Sequence, residues 1–162
     1  MQLEGGGSYA SRHCCLIILL ALPLLASCQA TGDKAAMSIE TAIKTYESAL
    51  NANDIDTILG LYGDTPVFMP QHAPALVGRD AVRAGYAHVF NTIKLSIRFD
   101  VHEVQEAGEW AWARTSSAGR TRILSNGTEI AEGNNELFVF RREKGTWKIH
   151  RYLFSTNQPP RA

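Results

Sequence analysis

The chain has 162 residues, 45% of them hydrophobic, and its 16 Lys and Arg residues balance its 16 Asp and Glu residues. This length fits one ordinary domain with a continuous hydrophobic core. The balanced charge argues against nucleic acid or an acidic membrane surface as a partner.

The cysteines and histidines argue against a metal or nucleotide cofactor. Cys14, Cys15 and Cys28 all precede the predicted domain, which therefore holds neither an internal disulfide nor a thiolate metal site. The histidines show no metal-ligand spacing, and the sequence has no glycine-rich phosphate loop. We therefore expect the domain to work with no cofactor and no metal.

The first predicted element is an apolar run from Cys14 to Ala26. It is shorter than the roughly 20 residues that span a bilayer, and it is typical of a signal-peptide core. The run leads into Leu25-Ala26-Ser27-Cys28, which resembles the lipobox of bacterial lipoproteins, where the cysteine thiol accepts the lipid. Cys28 is the predicted lipidation site.

This segment sets the expected domain boundaries and the expected location. We predict a lipoprotein signal peptide over residues 1–28, a polar tether over 29–37, the folded domain over 38–157 and a tail over 158–162. The protein would then be exported and anchored to a membrane. Ordinary secretion, or a cytoplasmic protein whose translation starts at Met37, stays open as an alternative.

Three helices are predicted in the first half of the domain. Ser38 can cap a first helix, because apolar residues follow it at steps of three and four. Asn53-Asp54 starts a short second helix that runs through Tyr62 and ends at Gly63-Asp64. A brief extended piece and a proline-rich loop then lead to Gly78, which opens the third helix.

Four long strands are predicted after the helices, because branched and aromatic residues dominate the second half of the chain. The predicted strands are Leu95–Val104, Trp110–Ser125, Thr128–Arg142 and Trp147–Ser155. Helices that precede an antiparallel meander indicate an α+β fold. We expect a cone of three helices packed on a curved antiparallel sheet, with an internal pocket where the sheet bends.

Two turns predict which side chains share a face of the sheet. Asn126-Gly127 is typical of a two-residue hairpin turn, which would place Ser117 opposite Glu136. A turn at Lys144-Gly145 would pair Phe138 with Arg151. The predicted pocket face holds Ala111, Ala113, Thr115, Ser117, Glu136, Phe138, Phe140, Trp147, Ile149 and Arg151. The other, convex face would carry Trp110, Trp112, Arg114 and Arg141.

Several strings in the sequence resemble a known superfamily. They are Tyr46-Glu-Ser-Ala-Leu-Asn-Ala-Asn-Asp-Ile-Asp-Thr-Ile58, Val67-Phe-Met-Pro70, Gly78-Arg-Asp-Ala-Val82 and Phe138-Val-Phe-Arg with Gly145-Thr-Trp-Lys-Ile-His-Arg151. The first three strings resemble the nuclear-transport-factor-two-like, or ketosteroid-isomerase-like, superfamily, and the C-terminal strings resemble its SnoaL-like branch, including the SgcJ/EcaC group. The resemblance implies a cone-shaped fold and leaves the activity open, since members include isomerases, cyclases, dehydratases and binding domains.

The resemblance also suggests roles for particular residues. Tyr46 falls where ketosteroid isomerase has its oxyanion-hole tyrosine, Tyr62 and Tyr86 where supporting tyrosines lie, and Glu136 near the second acid. The isomerase has its general base just before the proline after the first strand, where this chain has Met69. A thioether cannot accept a proton, so steroid isomerisation by that mechanism is disfavoured.

Two functions follow as hypotheses. The first is a cofactor-free isomerase, cyclase or dehydratase acting on a small hydrophobic carbonyl or polyketide-like compound, with Glu136, His72 and Tyr46 as catalytic candidates. The second is a non-catalytic ligand-binding or dimerisation domain. The candidate ligand contacts are Arg151, Met69, Tyr86, Ala113, Thr115, Phe138 and Trp147. We expect a homodimer through the convex face around Trp110, Trp112 and Arg114.

Overall fold

The computed structural model describes residues 37–159, which lie within the second of two units of the chain, Asp33–Ala162. The predicted signal peptide, the lipidation site Cys28, the tether up to Ala36 and the last three residues of the tail lie outside the described residues. No helix in the described part of the chain is long and apolar enough to span a bilayer.

The described residues form three helices and six strands, with the helices ahead of the long strands. The helices are α1 (Ile39–Ala52), α2 (Ile55–Leu61) and α3 (Arg79–Thr92). The strands are β1 (Tyr62–Met69), β2 (Leu76–Val77), β3 (Ile93–Ala107), β4 (Trp110–Ile123), β5 (Glu129–Glu143) and β6 (Thr146–Thr156). The predicted α+β class and the helix-then-strand order are confirmed.

Side-chain caps explain where the first two helices begin. The Ser38 hydroxyl accepts a hydrogen bond from the Thr41 N–H, and the Asp54 carboxylate accepts one from the Thr57 N–H. Helix α2 ends before Tyr62, which the sequence had placed in the helix. Tyr62 instead begins β1, where it pairs with Ile149 of β6. The pairing of β1 with β6 continues as far as Met69.

The sheet is mixed, with the strand order β2-β1-β6-β5-β4-β3. Strands β3 to β6 form the predicted antiparallel meander. Strand β1 runs parallel to β6, so the sheet as a whole is mixed, and the predicted antiparallel order holds for β3 to β6. Strand β1 precedes the meander in the chain and joins the sheet beside β6, the last strand of the meander. Helix α3 packs against β1.

Helix α1 is tied to the edge strand β3 by two of its side chains. The Asn51 carboxamide accepts from the Ile97 N–H at 2.9 Å and donates to the Ile97 carbonyl at 2.8 Å. The Glu47 carboxylate accepts from the Phe99 N–H at 2.5 Å. These bonds satisfy backbone groups that an edge strand leaves unpaired. They also fix α1 over the sheet, which positions Tyr46.

The hairpin between β4 and β5 has a four-residue loop, so the predicted two-residue turn was wrong. Ile123 pairs with Thr128, and Gly127 adopts the left-handed conformation at φ 72°. The strands are therefore offset by two residues from the prediction, and Glu136 lies opposite Thr115. A shift of two residues keeps every side chain on its predicted face.

A bulge in β6 reverses part of the predicted face assignment. Phe140 pairs with Ile149 as predicted, but Val139 pairs with Arg151, which leaves His150 as an extra residue. Beyond this bulge, each side chain of β6 points to the face opposite the predicted one. Tyr152 therefore lies beside Phe138, in the place that the sequence predicted for Arg151.

Candidate functional site

A cavity of about 610 Å³ lies between the helices and the concave face of the sheet. Its aromatic wall is formed by Tyr46, Phe68, Tyr86, Tyr152 and Phe154. Its aliphatic wall is formed by Leu50, Val89, Ile93, Leu95 and Ile97. This volume and lining are typical of a site for a small, mainly apolar molecule.

Three buried tyrosines form a hydrogen-bonded chain at one side of the cavity. The Tyr86 hydroxyl lies 2.6 Å from the Tyr46 hydroxyl and 2.9 Å from the Tyr62 hydroxyl. Burial raises the pKa of all three well above the usual value, so these hydroxyls stay protonated donors. When Tyr62 donates to Tyr86 and Tyr86 donates to Tyr46, the Tyr46 proton is left for a further acceptor, which is the neighbouring Tyr152 hydroxyl or a ligand that takes its place.

Glu136 supplies the buried carboxyl group of the cavity. Its side chain comes from β5, and the residue is only 4% exposed. The Ser117 hydroxyl donates to Oε1 at 2.6 Å, and the Thr115 hydroxyl donates to Oε2 at 3.1 Å. Asn134 in turn donates to the Ser117 hydroxyl at 3.2 Å. These bonds fix the carboxyl group in one orientation at the cavity wall.

The surroundings of Glu136 place its titration near neutral pH. Burial raises the pKa of Glu136 from 4.5 to about 7, because the charged form loses its hydration. The hydroxyls of Ser117, Thr115 and Tyr152 stabilise the charged form and partly oppose that rise. The result is a carboxyl group that can both give and accept a proton at neutral pH.

Polar side chains surround the mouth of the cavity. They are Gln71, His72, Glu132, Thr156 and Gln158, which line the cavity and are exposed or half-buried. The loop that carries His72 is tied to β6, because the Thr156 N–H donates to the Gln71 side chain. His72 itself is exposed and has a positive φ of 60°. It therefore lies at the mouth, away from the fully buried tyrosines.

Four of the ten predicted catalytic and ligand-binding residues line the cavity, namely Tyr46, His72, Tyr86 and Glu136. Ala113, Thr115, Phe138 and Trp147 lie in the core of the domain and are not among the lining residues. Thr115 still acts on the site through its bond to Glu136. Met69 lies next to Phe68 on β1 and points to the opposite face of the sheet.

Arg151 lies on the opposite face of the sheet from Glu136. The sequence analysis placed both side chains on the pocket face, and that expectation was wrong for Arg151. The Arg151 guanidinium donates to the backbone carbonyls of Thr65 and His150, at 3.1 Å and 2.7 Å. The physical reason is the bulge at His150, which turns the following side chain outward.

The sequence interpretation missed Tyr152, Phe68 and Phe154. Tyr152 stacks on Phe138 at 4.3 Å and on Phe68 at 5.4 Å between ring centroids. The signal for Phe68 was present, because it alternates with Met69 on a strand. Tyr152 and Phe154 could have been found only by placing the bulge in β6.

The convex face carries the predicted surface residues. Trp110 and Trp112 are 43% and 37% exposed. The Arg141 guanidinium lies 5.5 Å from the centre of the Trp110 ring, and Arg114 forms an ion pair with Glu103 at 3.4 Å. Large aromatic side chains in this position are typical of a protein interface.

Comparisons with known proteins agree with this architecture. The sequence model of the SnoaL-like domain matches residues 42–150, more than half of the chain. A search of curated proteins found no match. A solved ketosteroid isomerase-like protein from Erwinia carotovora atroseptica SCRI1043 is 30% identical, with a TM-score of 0.73 over 78% of this chain and 99% of that one.

More distant solved structures share the fold alone. A conserved protein from Planctomyces limnophilus is 19% identical, with a TM-score of 0.66 over 73% of this chain and 94% of that one. A member of the NTF2-like family from Streptomyces avermitilis is 21% identical, with a TM-score of 0.63 over 75% of this chain and 95% of that one.

Proposed function

This chain belongs to the SnoaL-like domain family, and on that premise we propose that it binds a small, mainly apolar carbonyl compound and transfers a proton to or from it. The reaction class is a cofactor-free isomerisation or elimination. The observation that carries the proposal is the Glu136 carboxyl group, buried in the cavity with a pKa of about 7. An acid–base group is most effective when its pKa lies near the working pH.

Each step of the proposed reaction can be assigned to a residue of the cavity. The Glu136 carboxylate takes a proton from the carbon between the ligand carbonyl and a neighbouring carbon–carbon double bond, which leaves a conjugated dienolate. The Tyr46 hydroxyl donates to the enolate oxygen and stabilises the charge that develops there. Glu136 then returns the proton to the far carbon of that double bond, which moves the double bond into conjugation with the carbonyl and regenerates the carboxylate. In an elimination, the enolate instead expels a leaving group from the adjacent carbon, and Glu136 gives its proton to that group. No oxidant or reductant is needed.

An isotope-exchange experiment tests this reaction without knowledge of the natural substrate. In D₂O, the full chain should speed up exchange of the methyl protons of an acetylnaphthalene bound in the cavity. We expect Glu136→Gln to abolish this catalysis while the ketone still binds. Catalysed exchange that survives in Glu136→Gln would refute the role of Glu136.

A second candidate function is binding without catalysis. The observation that favours it is the position of Met69, whose side chain lies on the far face of the sheet. The cavity therefore lacks the base that ketosteroid isomerase has at that place in its sequence. In this case a ketone would raise the melting temperature of wild type and of Glu136→Gln equally. A cavity-filling Val89→Trp variant would lose that effect.

We further propose that two copies of the domain pair through their convex faces. The partly exposed Trp110 and Trp112 support this proposal, because burying aromatic rings contributes much of the energy of protein interfaces. Arg114 and Glu103 lie beside them and would supply a polar rim.

Two other interpretations rest on the sequence alone. The first is export and membrane anchoring through a lipid on Cys28, which the lipobox-like string Leu25-Ala26-Ser27-Cys28 supports. The second is the assignment to the SgcJ/EcaC group, which rests on the C-terminal strings of the domain. Both remain proposals.

A further inference from the structure

The charged side chains that line the cavity are acidic. Glu136 lies in the buried part and Glu132 lies at the mouth, and no Lys or Arg of residues 37–159 lines the cavity. Arg151, the arginine that the sequence placed on the pocket face, is held on the other face by the carbonyls of Thr65 and His150. His72 is the remaining titratable side chain at the mouth. Within the described residues, the cavity therefore offers a ligand anion no fixed positive charge.

Glu132 is a free carboxylate at this mouth. It is half-buried, and within the described part of the chain no hydrogen bond or ion pair engages its side chain. Arg120 lies opposite Ala131, on the other face of the sheet from Glu132, and pairs there with Glu129 at 3.7 Å. Among residues 37–159, no Lys or Arg forms an ion pair with Glu132 at the cavity entrance.

The spacing of the two carboxyl groups sets the length of a ligand that reaches both. Glu132 and Glu136 are four residues apart on β5, and both side chains lie on the cavity side. A strand rises by about 3.4 Å per residue, so their Cα atoms are about 14 Å apart. A ligand of two or three fused rings approaches this length when it carries a polar group at each end.

We propose that the ligand carries a basic nitrogen at the end opposite its carbonyl group, and that this nitrogen pairs with Glu132 at the cavity mouth. This inference rests on the proposed function and adds the charge class of the ligand. The carbonyl end reaches Tyr46 and Glu136, the apolar rings contact the aromatic and aliphatic walls, and the ammonium group stays partly hydrated beside Glu132.

The cost of removing water from a charged ligand group makes the cavity mouth selective for ligand charge. A ligand carboxylate would lose hydration at the mouth without gaining a cationic partner, and it would be repelled by Glu132. An ammonium group gains the attraction of an unpaired carboxylate in a partly solvated place. Such exposed pairs contribute modestly and are screened by salt. The binding affinity should therefore be highest for an amine, lower for a neutral ligand and lowest for an acid.

A matched ligand series tests the charge class. Three naphthalenes share one acetyl group and carry an aminomethyl, a methyl or a carboxyl group on the far ring. We expect calorimetry with the full chain at pH 8 and low salt to show the amine binding about fivefold more tightly than the methyl compound. The carboxylate should bind more weakly than both.

Two variants assign the selectivity to Glu132. Glu132→Gln should bring the amine and methyl compounds to equal affinity and leave the affinity for the methyl compound unchanged. The matched control Glu129→Gln changes a carboxylate that pairs with Arg120 on the same strand, and it should keep the fivefold preference.

The outcomes separate this inference from the proposed function. The charge assignment is overturned if the compound with the methyl group on the far ring binds as tightly as the amine, or if the preference for the amine survives in Glu132→Gln. Either result leaves the proposed function standing. Binding of the carboxylate as tight as that of the amine also overturns the charge assignment. Failure of all three compounds to bind overturns both proposals.

Discussion

The Ser117 hydroxyl donates a hydrogen bond of 2.6 Å to the Glu136 carboxyl group, although the two residues are not directly opposite each other in the sheet. Thr115 occupies the opposite position and donates to the other oxygen. Two hydroxyls on one strand thus hold both oxygens of a carboxyl group that burial would otherwise keep protonated. This balance between burial and hydrogen bonding sets the acid strength of the site.

The first prediction concerns the pH dependence of stability. The folded protein binds the Glu136 proton more tightly than the unfolded chain does, because its pKa is raised from 4.5 to about 7. The free energy of unfolding should therefore fall as the pH rises from 4.5 to 7, by on the order of 3 kcal/mol, and this contribution should stay constant above pH 7.

The comparison of urea unfolding with and without this carboxyl group isolates the effect. Glu136→Gln should be more stable than wild type at pH 8 and should show a flatter profile between pH 4.5 and 7. Glu129→Gln removes an exposed carboxylate of the same strand and should follow the wild-type profile. Equal pH profiles for wild type and Glu136→Gln would contradict the burial of a titrating Glu136.

The second prediction concerns Ser117. Ser117→Ala removes a hydrogen bond to the charged form of Glu136, which should raise the pKa of Glu136 further, by about 1 to 2 units. Carbon NMR of the Glu136 carboxyl group measures the midpoint directly. A midpoint that stays at the wild-type value would show that the Ser117 bond does not stabilise the carboxylate.

The faces of β4 and β5 could be predicted from the sequence, while the pairing of individual residues could not. Side chains alternate along a strand, and the error in the length of the loop at Asn126-Gly127 amounted to two residues, which preserves the faces. The bulge at His150 shifts the strand by one residue and reverses them. No turn residue marks that bulge, so Arg151 was placed in the cavity and Tyr152 was missed.

The position of Tyr46 could be predicted for a different reason. The steps of three and four residues in α1 fix its buried side, and the Ser38 cap fixes where the helix begins. The bond from Tyr86 to both Tyr46 and Tyr62 needs the relative placement of α1, α3 and β1, which local sequence patterns do not contain.

The third prediction tests that tyrosine chain. Tyr86→Phe removes two buried hydrogen bonds and leaves the hydroxyls of Tyr46 and Tyr62 without their partner. We expect a loss of about 2 to 4 kcal/mol in the free energy of unfolding. Tyr62→Phe removes one bond and should cost about half as much. Equal losses in the two variants would argue against Tyr86 as the shared member.

The fourth prediction concerns the convex face. Wild type should sediment as a dimer, and Trp112→Glu should sediment as a monomer, because the variant loses a large aromatic ring from the interface and would bury a carboxylate there at a cost in hydration. Leu124→Glu is the matched control, since Leu124 is also exposed but lies in the β4–β5 loop. A monomeric wild type, or a dimeric Trp112→Glu, would contradict the proposed interface.

The fifth prediction concerns Cys28. Expression of the full gene in a bacterium should give a protein whose mass corresponds to cleavage before Cys28 and addition of a diacylglyceryl group. Cys28→Ala should show neither the cleavage before residue 28 nor the added mass. A wild-type protein whose mass shows no added diacylglyceryl group would rule out anchoring through this cysteine.

The titration of the Glu136 carboxyl carbon in the wild-type protein tests the central claim most directly. Comparison with Glu136→Gln assigns the signal, and the pH is varied from 4 to 9. The structure predicts a midpoint at about pH 7, caused by burial beside the cavity. A midpoint near 4.5, the ordinary value for a glutamate, would contradict a buried acid–base group at this position.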